Sequence, residues 1–315
     1  MIILNKSDSE PSTPSADYGI IFYKDGVLNL KRSDSAVINM AVVYPDLCNI
    51  RLSLHATDSD DTTDQTNKTV VYVHPYNGNI IAVPITSSTW QYKTIDSVLS
   101  IDMSNNSNYP VDTVYDIFIG NPFSGALYIV ALPWTSNTAR QTSISKQQGI
   151  YVATDPSTLD LMRYVGTIYK DSSGYLQDTA VYRYLWNYYN QRDLLLKSPS
   201  NDTLTNYGTA AIRPYNNDTN VRFNFVHGLN TNPIRIGIFS GIISSSNYHF
   251  VSVGLDSISV ASTDICWYIP TDGRIKLTGE KIVNIGKHYV QMLQNATGGV
   301  LGAYQHGYVY GIMRG

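Results

Sequence analysis

Ile20-Ile21-Phe22-Tyr23-Lys24-Asp25-Gly26-Val27-Leu28-Asn29-Leu30 holds the architecture in small. The first four residues have strand character, the Asp25-Gly26 pair tolerates the positive φ of a tight two-residue turn, and Val27 to Leu30 return as a second strand. Before this hairpin, residues 5–16 combine Pro11 and Pro14 with small polar residues and no apolar period. Such a segment runs extended over a surface. After it, Ser33-Asp34-Ser35 turns the chain again.

The same alternation of short apolar run and turn signal continues outward from the hairpin. Strands are predicted at Val70–Val73, Ile80–Pro84, Val98–Ile101, Val114–Ile119, Ala126–Leu132, Gly149–Ala153 and Tyr164–Tyr169. That spacing reads as a sandwich or barrel. The polar, Pro-containing stretch Lys197–Asn206 interrupts the pattern. Strands resume at Val221–Val226, Ile234–Ile243, His249–Leu255, Ile265–Ile269 and Tyr289–Gln294. The expectation is an all-β chain: two antiparallel β-sandwich or jelly-roll-like domains, residues 41–198 and 199–315, behind an N-terminal segment and hairpin of residues 1–40. Val181–Asn190 fits two periods. Tyr182, Leu185, Trp186 and Tyr189 have helical spacing, while Tyr182, Tyr184, Trp186 and Tyr188 alternate as a strand does.

Composition points the same way. Only 15% of the 315 residues are charged, and Tyr occurs 25 times. Of the 25 acidic residues only Glu10 and Glu280 are glutamates. Exposed helices draw on Glu for propensity and for pairing with Lys, whereas Asp favours turns and Tyr, Val, Ile and Thr favour pleated surfaces. A net charge of −3 lacks the basic footprint that a nucleic-acid partner requires. Met1 to Leu4 are too short for a signal-peptide core, and no stretch approaches the ~20 apolar residues of a membrane helix, so neither secretion by a signal nor membrane insertion is expected.

Motifs that carry chemistry are sparse. Paired-carboxylate glycosidase chemistry would have to rest on aspartates, and no pairing stands out. Asp58-Ser59-Asp60-Asp61-Thr62-Thr63-Asp64 can offer oxygen ligands to Ca²⁺, but without the Gly and distal Glu of an EF-hand loop it reads as a solvated turn. Cys48 and Cys266 are far apart, and the six histidines form no zinc-type spacing. Neither a Gly-x-Ser-x-Gly elbow nor a phosphate-binding Gly-Lys-Ser/Thr loop occurs. No cofactor or metal is expected, and the chain reads as a non-enzyme. The aromatics around Trp186 suit either core packing or stacking on sugar rings. In the Gly/Tyr-rich tail, Tyr304, His306 and Tyr308 are candidates for surface recognition. Alternatively, Tyr308 and Tyr310 belong to a last strand closing the sheet or lining a trimer axis.

Several stretches in order resemble a known group. Glu10 through Asp34 is similar to a short module near the N-termini of tailed-bacteriophage fibre and other virion proteins: a Pro-containing lead, an apolar-Tyr strand, Lys-Asp-Gly, and a second strand ending in Ser-Asp. Gly usually follows that Asp; here it is Ser35. Tyr72–Asn79, Val114–Phe118, Tyr164–Ile168, Arg183–Asn190, Gly254–Ser257 and Gly286–Gln291 resemble successive landmarks of fibre-type proteins. The resemblance implies a virion structural protein, a homotrimeric fibre or decoration subunit released from the host by lysis. It also implies attachment to other virion proteins through the N-terminal segment, with Pro14, Phe22, Tyr23, Asp25 and Gly26 as attachment residues. The displayed β domains would then face host-surface glycan. The alternative is a lectin-like receptor binder or a polysaccharide depolymerase.

Overall fold

The computed structural model describes residues 4–6, 11–15, 19–24, 27–32, 34, 37–39, 45–60, 63–121, 125–200, 211–244, 249–269, 273–296, 301–303 and 307–315. The chain is all-β, as the composition predicts. A three-residue 3₁₀ turn at Tyr215–Asn217 is the only helical segment among the described residues. Two compact units are present, Met1–Asp46 and Leu47–Gly315.

In the first unit the predicted hairpin forms from Gly19–Lys24 and Val27–Arg32, in register from Gly19↔Arg32 to Lys24↔Val27. Phe22 is buried. Leu4–Lys6 adds in parallel on one side and Val37–Asn39 antiparallel on the other, giving four strands where two were expected. Lys31 Nζ donates to Pro11 O at 2.9 Å, which ties part of the Pro-containing lead to the sheet.

The second unit is built around two long strands, Thr113–Gly120 and Leu161–Lys170, paired antiparallel. Nearly every residue of both is buried. The reason is that apolar side chains cover both faces. Val114, Phe118, Met162 and Tyr164 belong to one core, while Tyr115, Ile117, Ile119, Val165 and Ile168 belong to another. A bulge opposite Ile117 and Phe118 adjusts the register between them. The second core is closed by strands Ile50–Ser53, Val70–Pro75 and Ile80–Pro84, through Ile50, Leu52, Val71, Val73, Ile81 and Val83. The first is closed by Arg222–His227, Ile234–Ser244, Gly286–Ala296 and Tyr308–Arg314, through Phe223, Phe225, Ile236, Ile238, Val290 and Val309.

That arrangement corrects the expected boundary at 198/199. Phe118, Tyr164 and Trp186 share one core with Phe223, Ile236 and Val309, so the two predicted domains are one unit from Leu47 onward. Strand Asp193–Lys197, just before the expected break, pairs antiparallel with the last strand, Tyr308–Arg314. The first unit ends at Asp46 rather than at residue 40. Pairing is antiparallel with two exceptions among the described residues: Leu4–Lys6 on Gly19–Lys24, and Tyr182–Arg183 on Arg222–His227.

Val181–Asn190 resolves as strand, through Tyr182–Arg183 and Leu185–Asn187. Tyr184 and Trp186 enter one core and Leu185 the other, which is what strand alternation between two apolar layers demands. Trp186 is fully buried, so it stacks on no external ligand; its Nε1 donates to Arg314 O at 2.9 Å. Next to it, Asn187 behaves as a strand substitute. Its Oδ1 accepts from Leu52 N at 2.7 Å and its Nδ2 donates to Leu52 O at 3.2 Å. Asn190 Nδ2 then donates to Cys48 O and Ile50 O, at 2.9 and 2.7 Å.

Two measurements test this core. Asn187→Ala leaves two buried main-chain groups of Leu52 unpaired, and the expected loss of about 2–4 kcal/mol is readable by urea unfolding. His227 is buried against Trp186 at 5.5 Å between ring centroids, and burial lowers its pKa to about 4. Unfolded, it titrates near 6.5, so the unfolded chain binds more protons between those values. The stability this group confers is complete above about pH 6.5 and falls by about 3 kcal/mol as pH drops toward 4. A His227→Phe variant should show a flatter decline over that window; an unchanged slope refutes the assignment.

Candidate functional site

The sheet formed by Asp193–Lys197, Tyr308–Arg314, Ile234–Ser244 and Gly273–Lys281, in that spatial order, turns one face inward and the other outward. Leu194, Leu196, Val309, Met313, Ile236 and Ile238 enter the core. With a period of two, their neighbours must point out. The register fixes how those outward residues meet: Lys197 lies opposite Tyr310, Tyr310 opposite Gly237, Tyr308 opposite Phe239, and Phe239 opposite Lys276.

The result is an open groove of about 420 Å³ lined by Leu195, Lys197, Phe239, Lys276, Tyr308 and Tyr310. Phe239 and Tyr308 stack at 5.3 Å with 25° between their planes, and Tyr310 stands 6.1 Å from Tyr308. Lys197 Nζ sits 4.6 Å from the centre of the Tyr308 ring, within range of a cation–π contact. Leu195 is 52% exposed. Gly237 makes the floor: a Cβ there would lie 2.2 Å from Tyr310 Cζ, so only glycine lets that ring lie across the strand.

A smaller groove on the same sheet is lined by Asp193, Asn232, Pro233, Arg235, Glu280, Ile312 and Arg314. Its charges pair internally, Arg235 with Glu280 at 3.3 Å and Arg314 with Asp193 at 3.9 Å. The aromatic groove is different. Among the described residues neither Lys197 nor Lys276 has a carboxylate partner, and no acidic residue lines it.

Of the residues singled out from sequence, Tyr308 lies in this groove. Tyr304 and His306 are outside the described residues. The last strand is an interior one, paired on both sides, so Tyr308 and Tyr310 present side chains outward from the middle of a sheet rather than closing its edge. In the first unit, Pro14 is half-buried and Phe22 buried; Tyr23 lies in a strand, while Asp25 and Gly26 are outside the described residues. Sequence reasoning missed Leu195, Lys197, Phe239 and Lys276. The outward period of Leu195 and Lys197 was readable, but their partners come from strands about 40 to 115 residues away.

The remaining polar clusters act inside the fold. Asp116 is buried and receives Arg140 Nε at 2.5 Å and Arg140 Nη2 at 3.2 Å. Thr167 Oγ1 donates at 2.7 Å to Asp116 Oδ1, the oxygen that also accepts from Arg140 Nη2, and Tyr164 hydroxyl meets Thr167 at 2.6 Å. Arg140 is held in its charged form by Asp116. This carboxylate is spent on its guanidinium partner and is closed to solvent, so it has no role toward an external substrate. Asp256 pairs with His288 at 2.7 Å and caps Tyr289 N at 2.9 Å. In the acidic loop, Asp60 bridges Arg51 and Arg192 at 3.6 and 3.0 Å, and Asp64 accepts from Ala180 N at 3.2 Å. Among the described residues no three of His, Cys, Asp and Glu gather as a metal site. Burial pushes the Cys48 thiol up to about 11, which leaves it protonated and unreactive.

No family model matches the chain, and no curated protein does. Among solved structures, the insecticidal δ-endotoxin Cry8Ea1 of Bacillus thuringiensis is 7% identical with a TM-score of 0.25, over 79% of this chain and 49% of that one. The structure of infectious bursal disease virus, Gx strain, is 12% identical with a TM-score of 0.27, over 82% and 75%. A family 43 arabinoxylan arabinofuranohydrolase of Bacillus subtilis, solved with cellotetraose, is 11% identical with a TM-score of 0.25, over 90% and 73%. The chain spans about half the length of the endotoxin chains it matches.

Gly237→Ala should displace the Tyr310 ring and destabilise the unit by about 1–3 kcal/mol, as overpacking does. Thermal unfolding measures it. The double variant with Tyr310→Ala should recover most of the loss; additive costs would show that Gly237 and Tyr310 do not meet.

Proposed function

We propose that the chain is a non-enzymatic virion protein of a tailed bacteriophage, a homotrimeric fibre or decoration subunit. It attaches to the particle through the first unit and engages host-surface glycan through the aromatic groove of the second. The observation that carries the binding half is the groove itself. Phe239, Tyr308 and Tyr310 present π surface at an open site, and such rings suit the apolar faces of sugars while Tyr hydroxyls supply hydrogen bonds. The site is shallow and lies on a sheet face. A strand-adding peptide would instead need an unpaired edge.

The attachment half draws on the ordered resemblance of Glu10–Asp34 to virion-protein leads. The hairpin of that module lies in the compact unit Met1–Asp46 with Phe22 buried, and Lys31 fastens Pro11 to it. Pro14, Tyr23, Asp25 and Gly26 remain the proposed contacts to other virion proteins. A non-enzymatic role agrees with the closure of Asp116 by Arg140. Release with particles at lysis follows from this reading.

Host-surface polysaccharide incubated with the protein should be retained without shortening on size-exclusion analysis. Shortened chains would replace the binder with a depolymerase, and absence of retention would remove the glycan half. Light scattering at micromolar concentration should give three copies of the 35.0 kDa chain; a monomer sinks the trimer.

A further inference from the structure

We infer that the aromatic groove selects an acidic polysaccharide, with Lys197 and Lys276 receiving anionic groups on either side of the Phe239–Tyr308–Tyr310 strip. This rests on the glycan-binding reading above and names the ligand class for the same site. Lys197 belongs to the first strand of the sheet and Lys276 to the fourth. Three strand spacings, with a diagonal offset of two residues, separate their Cα atoms by about 15 Å. Among the described residues, the rings of Tyr310, Tyr308 and Phe239 lie between them. A ligand that fills such a site has apolar faces in its middle and negative charge repeated along its length. A chain of sugar rings bearing carboxylates meets that description.

Two further observations favour charge selection. Lys197 is poised by the Tyr308 ring, a contact that holds the ammonium at the rim while leaving its N–H groups free to donate. Among the described residues neither lysine has a carboxylate partner, whereas Arg235 and Arg314 of the neighbouring groove are both paired. The chain as a whole carries −3. A cationic groove on a negative molecule does not act through bulk attraction, so the lysines work locally, within about one Debye length of the ligand.

Binding of polygalacturonate and of the same material after carboxyl reduction is compared by calorimetry, using the full chain. The acidic polymer should bind more tightly, and its affinity should fall as salt rises from about 20 mM to about 0.3 M, where screening shortens to a few ångströms. Lys197→Gln and Lys276→Gln should each weaken the acidic polymer about two- to fivefold and leave the reduced one unchanged, as expected for loss of a single surface charge contact. Tyr308→Ala should weaken both polymers. Both lysine heads are at the surface, so near-ultraviolet circular dichroism of the two Gln variants should match the parent.

Equal binding of acidic and reduced polymer, with inert lysine substitutions, overturns charge selection and leaves glycan binding standing. Binding of neither polymer overturns both. Poly-glutamate bound as tightly as polygalacturonate overturns the sugar and leaves only an anion site.

Discussion

Strand Leu161–Lys170 is buried on both faces and yet carries Arg163, Thr167 and Lys170 inside. A cation removed from water is tolerated only when its donors are met in the interior. The structure meets them largely with main-chain carbonyls. Arg163 donates to Leu47 O at 3.0 Å and Ala82 O at 2.6 Å, and its guanidinium lies 4.4 Å from the centre of the Tyr189 ring. Lys170 Nζ donates to Met103 O, Asn106 Oδ1 and Tyr109 O at 2.5, 2.8 and 2.9 Å. Arg51 reaches Asn190 O at 2.5 Å and Gly315 O at 3.2 Å. The buried cations of strands Leu161–Lys170 and Ile50–Ser53 therefore fix where segments distant in sequence come to rest.

The outward groove depends on that interior. Its sheet is held by Leu194, Leu196, Ile236, Ile238, Val309 and Met313, which pack into the core that also holds Phe118, Tyr164 and Trp186. Ring positions in the groove are consequently set by strand register rather than by mobile loops. A site on rigid elements keeps its geometry, and ordering it on binding costs little.

Much of this was readable from the sequence. Ile80–Pro84 and His249–Leu255 were placed with their observed bounds, because each is an apolar run between polar turn residues. Val181–Asn190 was not decidable locally. Its aromatics satisfy two periods, and the choice came from Leu185 and Trp186 entering different cores, a tertiary fact. The division at 198/199 failed for a related reason. Lys197–Asn206 has the composition of a linker, but the strand ending at Lys197 pairs with residues more than a hundred positions later. Tyr308 was singled out from its Gly/Tyr context and does line the groove. Phe239 and Lys276 were not, since nothing in their own segments announces the sheet order that brings them beside it.

The use of carbonyl oxygens as partners for the buried cations has an evolutionary side. Leu47, Ala82, Met103 and Tyr109 hold Arg163 and Lys170 through atoms that every residue type possesses. Many substitutions at those acceptor positions would preserve the acceptor itself. Ala82 and Met103 are also held by their buried side chains, so this freedom falls to Leu47 and Tyr109, where a lineage can rewrite the lettering while the path of the backbone stays pinned from within.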